Sequence, residues 1–315
     1  MPAWRTSPTI GSASRNLAMR DEGRVHKIAE VRADLGESPV WDKDNCLLYF
    51  VDISGGKINV LTPQAQVTTV YQSMARIGAL ALTDKGNLIF TEGARVAILA
   101  PKEGVIHTHS TAVHNRASYR FNDGACDPQG RFVTGLMHEG PNRETGALYR
   151  YDSELNAQAI HRNIALPNGL AWSEDGSTLF FVDSIARAIF RATYSPNGEL
   201  AAVTCFAETP AELGRPDGIA LDRAGGLWVC QFNGGCLLRY DSNGSLSDRV
   251  AMPVPRPTSC CFGGEGLDTL FITTARFAMT PSELDKYPDS GDLFTIRPAI
   301  AGVPRLLFKE RKIVV

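Results

Sequence analysis

A polar turn followed at once by a short apolar strand recurs along the chain at intervals of roughly 45 residues. In the first unit the turn DKDN (42–45) precedes LLYFVDI (47–53), and in the fifth DRAGG (222–226) leads into GLWVCQF (226–232). Repeats of this size that contain about four short strands are typical of β-propellers. The turns begin at Asp42, Asp84, Asp127, Glu174, Asp222 and Gly263. The repeat therefore predicts an all-β fold, a six-bladed β-propeller with four-stranded antiparallel blades around a central channel.

Composition limits both the domain layout and the classes of partner. A net charge of −2 gives no basis for binding nucleic acid, and no run approaches the roughly 18 apolar residues that span a membrane. Seven cysteines form no C-x-x-C pair, and their odd number favours free thiols in a reducing cytoplasm. We expect residues 1–24 to be a disordered N-terminal tail and residues 25–315 to form a single propeller domain.

One position in each unit lies eight residues before the central residue of its turn (45 − 37 = 8 in the first unit), where the chain enters the innermost strand. In a propeller these strand entries converge on the central channel at one face. The set offers carboxylate, amide and hydroxyl oxygens, and neither sulfur nor imidazole. In chain order its members are Glu37, Gly78, Asn122, Asn168, Asp217 and Thr258.

Two carboxylates that point at one axis need a counter-charge. Burial of an unpaired carboxylate costs on the order of several kcal/mol, and Glu37 and Asp217 would also repel each other. A divalent cation bound by Glu37, Asn168 and Asp217 removes both problems, and these oxygen donors suit Ca²⁺, Mg²⁺ or Mn²⁺ better than a closed structural Zn²⁺ site. The alternative is that Asn168 and Asp217 are turn formers, which does not account for Glu37.

Several segments spread over the chain after the tail resemble the gluconolactonase and regucalcin-like family, also called senescence marker proteins. RFNDG, GESPVW and SCCFGG are the most specific of the shared motifs. The matching segments are LGESPVWD (35–42), LLYFVDI (47–53), YRFNDGACDPQGRF (119–132), NGLAWS (168–173), PDGIALDRAGGLWV (216–229) and TSCCFGG (258–264). The resemblance implies a six-bladed propeller that acts on lactones of sugar acids with one divalent metal ion.

The family's site residues map onto particular positions of this chain. The resemblance implies Glu37, Asn168 and Asp217 as metal ligands, the same three that the repeat selects. It also implies that Arg120 and Asn122 bind the substrate, whereas the family's further glutamate falls on Glu139 or, in the other register, on Gly140. Because members of the family use Ca²⁺, Zn²⁺ or another divalent ion, we expect Ca²⁺ and keep Zn²⁺, Mg²⁺ and Mn²⁺ as alternatives.

These observations lead to one main functional hypothesis and two alternatives. The main one is hydrolysis of a small sugar lactone, a gluconolactone or pentonolactone, with Asp217 as the general base for the attacking water. The alternatives at the same site are a non-catalytic calcium-binding regulator and a metal-dependent esterase or organophosphate hydrolase. A propeller that binds proteins on its rim has no need of acids at the inner strand entries. Neither G-x-S-x-G, H-E-x-x-H nor a P-loop is present.

Overall fold

The computed structural model describes residues 23–116, 118–140 and 145–311, which form 24 β-strands, one α-helix, α1 (Pro281–Lys286), and a 3-10 turn at Ala211–Leu213. The strands make six four-stranded antiparallel sheets, so the predicted six-bladed propeller is confirmed. Apart from Gly23 and Arg24, the predicted tail lies outside the described residues.

Blades 1 to 5 each use four consecutive strands. Blade 1 contains β2 (Gly36–Asp42), β3 (Leu47–Asp52), β4 (Lys57–Leu61) and β5 (Val67–Gln72). Blade 2 contains β6 (Leu80–Leu82), β7 (Leu88–Glu92), β8 (Arg95–Ala100) and β9 (Val105–His109). Blade 3 contains β10 (Tyr119–Cys126), β11 (Phe132–His138), β12 (Gly146–Tyr151) and β13 (Ala157–Ile164).

Blades 4 and 5 repeat this order, and blade 6 closes the ring. Blade 4 contains β14 (Pro167–Trp172), β15 (Thr178–Asp183), β16 (Ala188–Tyr194) and β17 (Leu200–Glu208). Blade 5 contains β18 (Arg215–Leu221), β19 (Leu227–Phe232), β20 (Cys236–Tyr240) and β21 (Leu246–Ala251). Blade 6 contains β22 (Pro257–Gly263), β23 (Thr269–Thr274), β24 (Leu293–Ile296) and β1 (His26–Ala29).

The first strand of each blade is the innermost, because these strands contact one another in the closed order β2, β6, β10, β14, β18, β22 and β2 again. Blade 6 joins the two ends of the described chain, since β1 pairs with β24 and His26 lies opposite Thr295. Pairing of an early strand with a late one completes blade 6 and closes the ring of blades.

Burial along the strands explains their sequence patterns. Strands near the channel are sandwiched between neighbouring blades and are buried along their length, as in β7, LIFTE, where all five residues are buried. The outermost strands face solvent and carry polar residues, as in β21, LSDRVA, which has no buried residue. The turn acids predicted as structural act on the backbone: Asp222 accepts hydrogen bonds from the N–H groups of Ala224 and Gly226 at 3.0 and 2.9 Å.

Residues 301–311, here called the C-terminal strap, cross the end of the channel at which these turns lie. Val303 N–H donates to the carbonyl of Leu221 in blade 5, and Phe308 N–H donates to that of Leu82 in blade 2. The Phe308 side chain is fully buried. The strap therefore covers one mouth of the channel, and the strand-entry residues lie at the other.

Candidate active site

A β-bulge interrupts the innermost strand close to its entry in five of the six blades. In blade 1, three steps along β2 from Glu37 to Val40 match two steps along β3. Blade 5 has the same irregularity between Pro216 and Ile219. An extra residue bends a strand and redirects the side chains beside it. The bulges therefore set the direction of the strand-entry side chains independently of the regular pleat.

The six residues that the sequence predicted for the site line one cavity of about 360 Å³ at the strand-entry end of the channel. Five of them are buried, namely Arg120 and the strand-entry residues of blades 1, 3, 4 and 5. The six are Glu37, Arg120, Asn122, Glu139, Asn168 and Asp217. The structure thus brings together residues up to 180 positions apart (217 − 37 = 180), while their individual roles stay predictions.

The two remaining strand-entry residues have structural roles. A Cβ atom on Gly78 would lie 2.3 and 2.4 Å from the carbonyl oxygens of Phe121 and Asn122, so only glycine lets blade 3 approach blade 2 here. The hydroxyl of Thr258 donates to the carbonyl of Gly36 at 2.5 Å and thereby ties blade 6 to blade 1.

Glu139 and Arg120 form an ion pair at the cavity wall. The Nε of Arg120 donates to Glu139 Oε1 at 2.7 Å, and Arg76 Nη1 donates to the same oxygen at 2.6 Å. Between the two registers considered for the sequence, Glu139 is therefore the residue at the cavity. The N–H of Gly140 instead donates to Nδ1 of His138 at 3.2 Å.

A chain of hydrogen bonds continues from this pair to the strand-entry amides. Arg120 Nη1 donates to Asn122 Oδ1 at 2.6 Å, and Asn122 Nδ2 donates to Asn168 Oδ1 at 2.6 Å. The Nδ2 of Asn168 then donates to Ser184 Oγ at 2.8 Å, and Ser184 donates to the carbonyl of Pro216 at 2.6 Å. This chain fixes both amides in one orientation and links blades 3, 4 and 5.

The two strand-entry acids lie in an environment that opposes their ionisation. Burial raises the pKa of Asp217 well above its ordinary value, and the negative charge of Asp123 raises it further. The pKa of Glu37 is also raised, first by burial and then by the charges of Asp217 and Asp123, against smaller opposing effects of the Ser38 N–H and Arg120. Like charges held this close favour either protonation or a bound cation.

The donor set fits a divalent cation. Asp217 Oδ1 is buried and has no hydrogen-bond partner among the described residues, which is costly for a carboxylate unless a cation or proton meets it. With Glu37 and the amide oxygen of Asn168 it supplies only hard oxygen donors. Across residues 23–116, 118–140 and 145–311, no group of three or more His, Cys, Asp and Glu side chains is placed to hold a metal. This site depends on an amide as its third donor.

Sequence reasoning missed three polar residues that line the cavity, Arg76, Ser184 and Arg215. The two arginines each lie two positions before a strand-entry residue (78 − 76 = 2, 217 − 215 = 2), as Arg120 does before Asn122. The repeat register that selected the metal ligands would have found these arginines if it had also been read two positions before each strand-entry residue. Ser184 directly follows β15, and the ends of the second strands carried no comparable repeat signal.

A buried acid beneath the cavity was also missed. The carboxylate of Asp123 accepts from the N–H of Gly124 at 2.7 Å and lines a separate cavity of about 60 Å³ with Arg305 of the C-terminal strap. Burial raises the pKa of Asp123, and Arg305 opposes that increase. The strap thus brings a positive charge to the end of the channel remote from the strand-entry cavity.

The chain matches the family model described as SMP-30/Gluconolactonase/LRE-like region over residues 35–276. It belongs to this family. It is 34% identical to L-arabinolactonase of Azospirillum brasilense, over 91% of this chain and 96% of the relative. It is 32% identical to regucalcin of Gallus gallus (89% and 97%) and 33% identical to 6-deoxy-6-sulfogluconolactonase of Pseudomonas putida (87% and 94%). The resemblance noted from the sequence is confirmed.

Proposed function

We propose that this chain is a divalent-metal-dependent hydrolase that opens the ring of a sugar-acid lactone to give the free acid. Two relatives that align over almost their whole length are named as lactonases. The observation that carries the proposal is the buried Asp217 carboxylate, unpartnered within the described part of the chain, beside Glu37 in a cavity of about 360 Å³. Such a volume lies within the range of small-molecule sites.

Glu37, Asn168 and Asp217 are the residues that would hold the ion, and their all-oxygen character favours Ca²⁺, with Zn²⁺, Mg²⁺ and Mn²⁺ as alternatives. When bound, the ion supplies Lewis-acid polarisation of the lactone carbonyl. One relative of this chain is named regucalcin, a name that refers to calcium and so favours this ion among the four.

The side chains of the cavity supply the remaining parts of the mechanism. Asp217 accepts the proton of the attacking water and returns it to the ring oxygen as the ester bond breaks. Arg120 already donates through Nε to Glu139 and through Nη1 to Asn122 and the carbonyl of Phe121, which leaves its Nη2 protons for the substrate. With Asn122 and Glu139 locked in the same network, the substrate meets donors and acceptors whose positions are fixed before it binds.

The experiment is a panel of five- and six-membered aldonolactones assayed with the purified chain after chelation and after addition of Ca²⁺, Zn²⁺, Mg²⁺ or Mn²⁺. We expect ring opening well above the spontaneous rate with at least one ion, and loss of that rate with EDTA. Metal binding without any accelerated hydrolysis would instead support the non-catalytic regulator, and the same protein sample distinguishes the two.

One feature of the cavity favours a second candidate, hydrolysis of less hydroxylated esters or organophosphates. Six apolar side chains line the cavity, and such side chains favour the less polar parts of a ligand. They are Leu35, Ile53, Met137, Leu166, Phe232 and Phe277. An aryl ester and an organophosphate added to the panel test this candidate directly, because a kcat/KM for them above that for every aldonolactone would make it the better assignment.

We also place the protein in the cytoplasm. All seven cysteines lie in the described part of the chain and all are free thiols, five of them buried. No helix within the described ranges is long and apolar enough to cross a membrane. Fractionation of the source cells with an antibody against the chain tests this placement.

A further inference from the structure

A second tier of residues repeats with the same register as the strand entries. Four blades have an arginine two positions before the strand-entry residue, and blades 1 and 4 have a leucine there. The tier consists of Leu35, Arg76, Arg120, Leu166, Arg215 and Arg256. All except Arg256 line the cavity. The mouth of the cavity, above the proposed metal ligands, is therefore built from arginine and apolar groups.

Three of the four arginines are already engaged within the protein. Arg76 and Arg120 share the carboxylate of Glu139, at 2.6 and 2.7 Å. Arg256 donates through Nε to Asn233 Oδ1 at 2.6 Å and through Nη1 to the carbonyl of Phe277. Each of these guanidinium groups therefore already has hydrogen-bond acceptors within the protein.

Arg215 differs from the other three. It is the first residue of β18 and half-buried, yet its side chain makes no hydrogen bond or ion pair with any of the described residues. A guanidinium group carries five N–H donors and a permanent charge, so a half-buried one without an acceptor is poorly satisfied. Its position on the cavity wall makes a ligand the missing partner.

The surroundings of Arg215 strengthen its attraction for an anion. It lies across the strand pair from Phe232, and Phe277 lines the same cavity. Arg256 contacts both residues, because its guanidinium lies 5.5 Å from the centroid of the Phe232 ring and donates to the backbone carbonyl of Phe277. Apolar walls lower the local dielectric constant, so an anion at Arg215 would be bound more strongly than at an open surface.

With the proposed cation bound, the cavity carries an excess of positive charge that favours an anion. Its lining contains three arginines and three acids. In the proposed function Glu37 and Asp217 are engaged by the cation and Glu139 is shared by two arginines, which leaves Arg215 without a negative partner. Resting on that proposed function, we propose that the substrate is a lactone with a second, anionic group on the carbon remote from the ester carbonyl, and that Arg215 binds this group.

The spacing within β18 agrees with such a substrate. Two residues of a strand, from Asp217 to Arg215, span roughly 7 Å. That is about the distance from the ester carbonyl of a hexonolactone to a charged substituent on its terminal carbon. Carboxylate, sulfonate and phosphate all present the coplanar oxygen pair that a guanidinium group binds with two parallel hydrogen bonds. All three groups are oxyanions, and a lactone assay with each of them in turn shows which one the chain prefers.

The test compares lactones that differ only at the terminal carbon: the neutral gluconolactone and its carboxylate, sulfonate and phosphate analogues. The variants are Arg215→Ala, Arg215→Lys and, as a matched loss of one surface charge, Arg162→Ala on the exposed side of β13. We expect at least one anionic lactone to have the highest kcat/KM in the unmodified chain. Arg215→Ala should raise its KM roughly 10- to 100-fold, the effect of one charge-assisted hydrogen bond, and should change the KM of the neutral lactone by a much smaller factor. Arg215→Lys should restore most of the affinity, and Arg162→Ala should have no effect.

Failure of this inference can be distinguished from failure of the proposed function. If the unmodified chain prefers the neutral lactone, or if Arg215→Ala lowers activity on all lactones equally, the anionic subsite is wrong while lactone hydrolysis stands. If no lactone is hydrolysed with any metal, calorimetric titration of the chelated protein with the ring-opened dianionic acids decides the subsite alone. Binding that is lost in Arg215→Ala and kept in Arg162→Ala supports it, and absence of binding contradicts it.

Discussion

Two acids five positions apart, Asp217 in β18 and Asp222 directly after it, show how the same residue type acquires different roles. Asp222 is a turn acid whose carboxylate accepts two backbone N–H groups and the Nε of Arg239 at 2.7 Å. Asp217 has a buried oxygen with no partner in the described part of the chain. The difference lies in the position along the strand, because one residue ends it at the turns and the other enters it at the channel.

Replacement Asp217→Asn tests the role of this carboxylate. The amide preserves the shape, removes one ligand charge and removes the repulsion with Glu37 and Asp123. We expect kcat on the preferred lactone to fall roughly 100-fold or more, and metal affinity measured by calorimetry to fall with it. The metal-free protein should become more stable to urea by about 1 kcal/mol or more.

The matched control is Glu174→Gln, which removes one negative charge from an exposed turn. It should leave activity, metal affinity and stability unchanged. An Asp217→Asn protein with full activity and full metal affinity would contradict the assignment of this residue.

The raised pKa values of Glu37 and Asp217 predict the pH dependence of stability. The folded, metal-free protein keeps these protons to higher pH than the unfolded chain, whose values are near 4.5 and 3.8. Its free energy of unfolding should therefore fall as the pH rises from about 4 through the raised pKa values. Urea midpoints in EDTA between about pH 5 and about pH 8 measure this loss.

Saturating Ca²⁺ should reverse that trend, since the ion and the protons compete for the same oxygens. The double variant Glu37→Gln, Asp217→Asn should show a nearly flat profile without metal. An unmodified metal-free protein whose stability rose over this pH range would show that the two acids are ionised and stabilised by other groups.

At the level of elements, the short entry to β6 supports the strand that carries Arg120 and Asn122. Gly78 has no space for a side chain because the carbonyl groups of Phe121 and Asn122 occupy it. We expect Gly78→Ala to displace β10, to lower the free energy of unfolding by roughly 1–3 kcal/mol, and to raise KM for the lactone.

Gly266→Ala is the control for this change, because a Cβ atom there would meet nothing closer than the Asp268 side chain at 4.0 Å. It should be close to neutral in urea denaturation and in the lactone assay. Equal effects of the two substitutions would mean that the contact between blades 2 and 3 does not limit packing at the site.

The C-terminal strap supports the channel from its opposite end. Arg305 Nη2 donates to the carbonyl groups of Ile219 and Cys260 at 3.3 and 3.0 Å, and its charge opposes the increase in the pKa of Asp123. The substitution Arg305→Ala removes this guanidinium group and leaves the buried Asp123 without its positive charge. We expect a loss of roughly 1–3 kcal/mol, measured by urea denaturation, which is smaller for Arg305→Lys. A loss that is identical for alanine and lysine would show that charge is not what the strap supplies.

The sequence predicts the blades well and the cavity only partly. Turn acids and apolar strands are local features, so Asp222 and β19 could be predicted from a few neighbouring residues. The convergence of Glu37, Asn168 and Asp217 followed from the repeat, because a closed ring converts equal register into spatial proximity. Contacts across the ring have no such signal: neither the sharing of Glu139 by two arginines nor the approach of Arg305 to Asp123 is visible in the spacing.

In the whole molecule, the proposed ion would join blades that are far apart in the chain. Glu37 belongs to blade 1, Asn168 to blade 4 and Asp217 to blade 5, whereas the hydrogen bonds of Arg120, Asn122 and Ser184 connect only blades 3 to 5. Since a ligand that binds only the folded state stabilises it, the ion should contribute to the stability of the ring as well as to catalysis.

The most direct measurement of the central claim is a titration of the chelated protein with Ca²⁺ while the initial rate of ring opening of the preferred lactone is recorded. The account predicts a rate that starts at the spontaneous value, increases linearly and becomes constant at one ion per chain, with no such increase in Asp217→Asn. A rate that persists in excess EDTA, or that stays at the spontaneous value with every divalent ion, would contradict it.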